Sequence, residues 1–109
     1  MCFLTKFALN TNTTGIQNTA VGEAALFDNS TGQYNTAIGR AALANNTTAS
    51  NNTAVGLSAL LSNTTGTQNV AVGANALDAN TTADNNTAVG FQALTSVTTA
   101  DGNAAFGPK

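Results

Sequence analysis

The chain has no histidine and no tryptophan, a single cysteine, a single proline, and only 7% charged residues, for a formal net charge of −2. Each shortage excludes something. Without histidine, Glu23, Asp28, Asp78, Asp84 and Asp101 have no general-base partner and no reactive Lys–carboxylate pairing, so the sequence points away from an enzyme and offers no catalytic residue. Lys6, Arg40 and Lys109 are the only cations, too few for the clustered positive charge that nucleic acid requires. Cys2 has no internal disulfide partner, and reads either as a bland apolar residue or as a link between chains. No apolar run approaches the roughly 18 residues of a membrane-spanning helix. Residues 1–9 are apolar but lack the basic n-region, the length and the small-residue cleavage site of a secretory signal, so they are expected to belong to the fold.

What the chain does contain is a repeat. Asn18-Thr19-Ala20-Val21-Gly22 returns as Asn35-Thr36-Ala37-Ile38-Gly39, Asn52-Thr53-Ala54-Val55-Gly56, Asn69-Val70-Ala71-Val72-Gly73 and Asn86-Thr87-Ala88-Val89-Gly90, and ends in Asn103-Ala104-Ala105-Phe106-Gly107, with a step of 17 residues each time. In phase with it run Ala25-Leu26, Ala42-Leu43, Ala59-Leu60, Ala76-Leu77 and Ala93-Leu94, followed by polar corners such as Asn29-Ser30-Thr31-Gly32 and Asn63-Thr64-Thr65-Gly66. A short period without slippage predicts a solenoid rather than a globular core. Aliphatic residues on fixed columns also exclude a disordered low-complexity tract.

The expected fold is therefore all-β, a parallel β-solenoid of about six 17-residue coils. An N-terminal apolar strand and partial coil are expected over 1–17, five regular repeats over 18–102 and a half coil over 103–109. The Gly-x-x-Ala-Leu step leaves two forms open, a short helical turn or a second short strand. Two core columns are expected, one of Val21, Ile38, Val55, Val72, Val89 and Phe106, the other of Leu26, Leu43, Leu60, Leu77 and Leu94. Because successive strand residues point to opposite faces, the Ala20 column faces the other way and is apolar too. A strand apolar on both faces calls for a cover on each, the second supplied by another copy or another layer of the chain. Gly22, Gly39, Gly56, Gly73, Gly90 and Gly107 read as structural turn glycines. Asn18, Asn35, Asn52, Asn69, Asn86 and Asn103 would stack about 4.8 Å apart, close enough for a hydrogen-bonded ladder.

The Asn-x-Ala-Val/Ile-Gly motif resembles the head repeats of YadA-like trimeric autotransporter adhesins, and Asn-Thr-Ala-Val-Gly-x-x-Ala-Leu is similar to repeats of phage and bacterial fibre proteins. The resemblance covers residues 18–107 and rests on the Asn, Ala, Val/Ile and Gly columns. It implies a β-roll, a trimer and a surface glycan or host-matrix target. This repeat departs from the adhesin head by being longer, through its Ala-Leu/Asn-Thr-Thr half, and shows no neck, heptad stalk or translocator.

Three functional expectations follow. The first is a structural, self-assembling subunit of an extracellular or cell- or virion-surface filament, with copies of itself as partners, no cofactor and no metal. By phase, Met1 to Thr5 occupy a strand position and the final coil is half made, so Phe3, Leu4, Phe7, Ala105 and Phe106 are expected to join chains end to end. The second is an adhesin-head or phage-fibre binding module. The third is an ice- or glycan-binding face built from the Thr13 and Thr14 columns, whose bland reading is that threonine suits strands and turns. Asp84 and Asp101 share a column and would offer hard oxygens one coil apart, although solvated turn carboxylates explain them equally well. Sequons such as Asn12-Thr13-Thr14 and Asn63-Thr64-Thr65 arise from the repeat itself.

Overall fold

A computed structural model describes residues 6–108. Six three-residue strands, β1 (Thr19–Val21), β2 (Thr36–Ile38), β3 (Thr53–Val55), β4 (Val70–Val72), β5 (Thr87–Val89) and β6 (Ala104–Phe106), form one parallel sheet in the order β1 to β6. The register is Thr19↔Thr36, Ala20↔Ala37, Val21↔Ile38 and continues unchanged to β6, so each strand lies one 17-residue turn from the next. The chain is thus an all-β solenoid of about five full turns, with no helix among the described residues. Phe3 and Leu4 lie outside the described residues.

Each strand is short because its neighbours end it. Gly56 follows β3 with φ +134°, a conformation that side-chain-bearing residues rarely adopt. A Cβ there would also lie 2.6 Å from the Gly73 carbonyl carbon of the next turn. Conformation and close approach therefore both require glycine at this corner.

The Ala-Leu segment takes neither of the forms left open by the sequence. It is a pair of successive tight turns, closed by Ala25 N–H to Gly22 O and Asn29 N–H to Leu26 O, both at 3.2 Å. Ala24 and Leu26 sit at φ +59° and +51°, and Leu43, Leu60, Leu77 and Leu94 repeat the left-handed conformation. That costs a non-glycine residue roughly 1–2 kcal/mol. Burying a whole leucine side chain returns about 1.5–3 kcal/mol, and Leu26, Leu43, Leu60 and Leu77 are fully buried. Packing thus offsets a backbone state that local propensity disfavours. Leu94 is half-buried against the same core.

One expected core column is corrected. The strand residues that fill the interior are Ala37, Ala54, Ala71 and Ala88, all fully buried, together with Ala42, Ala59 and Ala76 from the opposite side. The Val21 column points outward. Val21, Val55, Val72 and Val89 are half-buried, while Ile38 and Phe106 are exposed. The reason is width: leucines entering from the facing wall leave room between the walls for an alanine methyl and nothing larger.

Candidate functional site: two asparagine ladders and an exposed strand face

Two asparagine columns run the length of the solenoid, bonded in different ways. In the expected column each Oδ1 accepts from the backbone N–H of the next asparagine: Asn52 N–H donates to Asn35 Oδ1 at 3.0 Å and Asn69 N–H to Asn52 Oδ1 at 3.0 Å. From Asn18 to Asn69 each Nδ2 donates to a carbonyl across the turn, as Asn52 does to Gly66 O at 2.8 Å. The ladder therefore runs from amide side chain to backbone, with a direct amide-to-amide bond only at its last rung, where Asn103 Nδ2 also donates to Asn86 Oδ1 at 3.0 Å.

The direct amide-to-amide ladder is the second column, which in the sequence belongs to the polar corners such as Asn29-Ser30-Thr31-Gly32 and Asn63-Thr64-Thr65-Gly66. Asn29 Nδ2 donates to Asn12 Oδ1, Asn46 to Asn29, Asn63 to Asn46 and Asn80 to Asn63, at 2.8–3.0 Å. Its signal was there to read, since Asn12, Asn29, Asn46, Asn63 and Asn80 also recur every 17 residues. The two ladders share acceptors. Gly66 O takes Nδ2 hydrogens from both Asn52 and Asn63, at 2.8 and 2.9 Å, and Gly32 and Ala49 carbonyls do the same with their own pairs. Each turn is thereby pinned in register by buried, satisfied polar groups.

The network frays at one place. Position 97, where the second column calls for asparagine, is valine, and Asn80 Oδ1 is buried without a partner. The Ala100 carbonyl accepts from Asn103 Nδ2 instead of from Asn86, whose Nδ2 is likewise unpartnered.

Two neighbouring hydroxyl columns behave differently. Hydroxyls of Thr13, Ser30, Thr47, Thr64 and Thr81 donate to a carbonyl of the next turn. Thr14, Thr31, Thr48, Thr65, Thr82 and Thr99 are exposed, and no side-chain hydrogen bond engages them. Asp84 Oδ1 accepts from Thr67 N–H at 2.6 Å and Thr67 Oγ1 at 3.1 Å, and Asp101 Oδ1 accepts from Asp84 N–H at 2.7 Å. These carboxylates cap backbone amides of the preceding turn, which explains their shared column without a cation. Among the described residues no three His, Cys, Asp or Glu side chains cluster as metal ligands, and no helix is long and apolar enough to cross a membrane. Asn63 is buried with both amide atoms bonded, so its sequon has no free nitrogen for a glycan in the folded chain.

The outward strand face carries the second apolar column. Its first two rows hold Glu23 and Arg40, an exposed pair at 3.7 Å. The later rows are free of charge, with Leu57, Ala74 and Phe91 beside Val55, Val72 and Val89, then Phe106. Leu57 is 48% exposed, Phe91 56% and Phe106 77%. The chain matches no protein-family model, and no curated protein or solved structure is significantly similar to it.

Proposed function

We propose that the chain is a structural repeat module that assembles with copies of itself, extending the solenoid turn upon turn into a rod at a cell or virion surface. The observation that carries this reading is the translational equivalence of the turns. From the second turn to the third, Thr36 N–H bonds Asn52 O at 2.9 Å, Leu43 N–H bonds Ala59 O at 3.0 Å and Gly56 N–H bonds Ile38 O at 2.8 Å. One turn later Thr53 bonds Asn69 O at 2.8 Å, Leu60 bonds Ala76 O at 3.0 Å and Gly73 bonds Val55 O at 2.7 Å. A turn from a second chain fits the same lattice, and a contact of this kind does not close on itself. Phe7, Ala105 and Phe106 lie in the first and last described turns, which in this reading meet, and Phe7 packs edge-on against Phe27 at 6.3 Å.

Ala104→Pro tests it. In all five earlier strands the N–H of this column donates to the following turn, as Thr87 N–H does to Asn103 O, so Ala104 N–H has the same outward direction. Proline is tolerated at a strand's first residue and removes that donor without touching the bonds to β5. Rods seen by electron microscopy for the parent chain and lost for the variant support stacking. Discrete particles from the parent chain at every concentration would end this reading.

A second reading, a binding face, draws on the unbroken column of exposed threonines from Thr14 to Thr99. Thermal hysteresis of a dilute solution tests its ice-binding form, and a flat response removes it.

A further inference from the structure

The outward strand face is a largely apolar strip whose size sets the terms on which it can be used. We infer that two rods of this chain pair face to face through this strip, and that pairing follows end-to-end stacking rather than preceding it. The inference rests on the stacking reading above and adds the second contact a fibre needs.

The occupant is a second copy because the face matches itself. From β3 onward its outward positions carry Val55, Leu57, Val72, Phe91 and Phe106 and no ionisable group. Val70 and Ala104 stand where β1, β2, β3 and β5 have threonine, so β4 and β6 are apolar at both outward strand positions. Apolar columns in register on a parallel sheet interdigitate with an identical set across a sheet-to-sheet distance of about 10 Å. The polar groups of this face are the threonine hydroxyls of β1, β2, β3 and β5 and the Glu23–Arg40 pair, which is already matched to itself.

Area decides the order of events. Six strands about 4.8 Å apart and five residue positions of about 3.3 Å each give a face of roughly 29 by 16 Å, on the order of 450 Å², with the mutually paired Glu23 and Arg40 in the two rows at one end. A stable interface buries about 800 Å² on each partner. One chain falls short by nearly half, and two stacked chains reach the threshold. Single chains therefore stay laterally separate, and pairing sets in once a rod is two chains long. Each lateral contact in turn holds two stacked chains in line, so growth should show a lag and a concentration threshold rather than a smooth rise.

Mass per length measured by electron microscopy tests this on the full chain, the Val72→Lys variant and the more conservative Val72→Thr. Circular dichroism and melting establish that each variant keeps the parent fold. For the parent, a mass per length of two rods is expected, falling about twofold in Val72→Lys with rod formation retained, and Val72→Thr lying between. Parent rods of single-chain width, or a Val72→Lys variant that folds and is still paired, would overturn lateral pairing while leaving stacking intact. Absence of rods from the parent would remove both. Sedimentation of Ala104→Pro separates the order of events: monomers are expected, and discrete lateral dimers would overturn the dependence on length.

Discussion

Replacing Asn52 by leucine removes a fully buried rung from the middle of the first ladder. Asn52 makes three ladder bonds, and they fail unequally. Its backbone N–H still reaches Asn35 Oδ1, because the main chain is unchanged. The Gly66 carbonyl loses Asn52 Nδ2 but keeps Asn63 Nδ2 at 2.9 Å. Asn69 N–H, which donates to Asn52 Oδ1 at 3.0 Å, is left buried with no acceptor. One orphaned buried donor costs about 1–3 kcal/mol, and fitting the larger apolar side chain costs about 1–3 kcal/mol more. A total of roughly 2–6 kcal/mol corresponds to a melting temperature lower by about 8 °C or more in a chain of this size. Asn52→Asp refines the test. A carboxylate keeps the acceptor for Asn69 N–H but sets a second oxygen against the Gly66 carbonyl, which only the protonated acid can satisfy. Its folded pKa is therefore raised above the unfolded value of about 3.9, and the variant should lose stability as pH rises beyond that value. Thermal melts of Asn52→Leu, Asn52→Asp and the surface control Arg40→Gln at several pH values provide the readout. A melting temperature for Asn52→Leu within 2–3 °C of Arg40→Gln, on the scale of about 4 °C or more per kcal/mol, would refute the ladder argument.

Gly56→Ala should cost about 3 kcal/mol or more, since left-handed strain and a backbone contact under 3.0 Å act together, and a melt showing under 1 kcal/mol would contradict it. Val97→Asn should stabilise the chain by about 1 kcal/mol, by giving Asn80 Oδ1 the donor it lacks, and chemical denaturation checks the sign. Gln68 sits at φ +58°, where its equivalents Asn51 and Asn85 are better suited, so Gln68→Asn should raise the melting temperature slightly, by about 0.5 kcal/mol in stability. A lowered melting temperature would show that the glutamine side chain makes a contact the backbone argument omits.

The sequence by itself determined the length of a turn, the parallel stacking and the buried leucines. Those features depend only on a 17-residue period and on one strongly apolar residue in a fixed place. Asn52 and its column were legible as a ladder, because identical amides at strand spacing have few other uses in a buried position. Three things needed the tertiary structure. Which strand face turns inward was undecided by the Ala54 and Val55 columns, since both are apolar. The narrow gap between the sheet and the leucine wall chose alanine and left the valines outside, which created the exposed face. The Asn63 column looked like an ordinary turn, because asparagine is common in turns whether or not its amide is bonded. Only stacking brings its Nδ2 to Asn46 Oδ1 at 3.0 Å. Leu60 at φ +51° was hidden from any local rule, because leucine favours helix when alone. Here the core that it fills, and the bond from its N–H to Ala76 O at 3.0 Å, outweigh that preference.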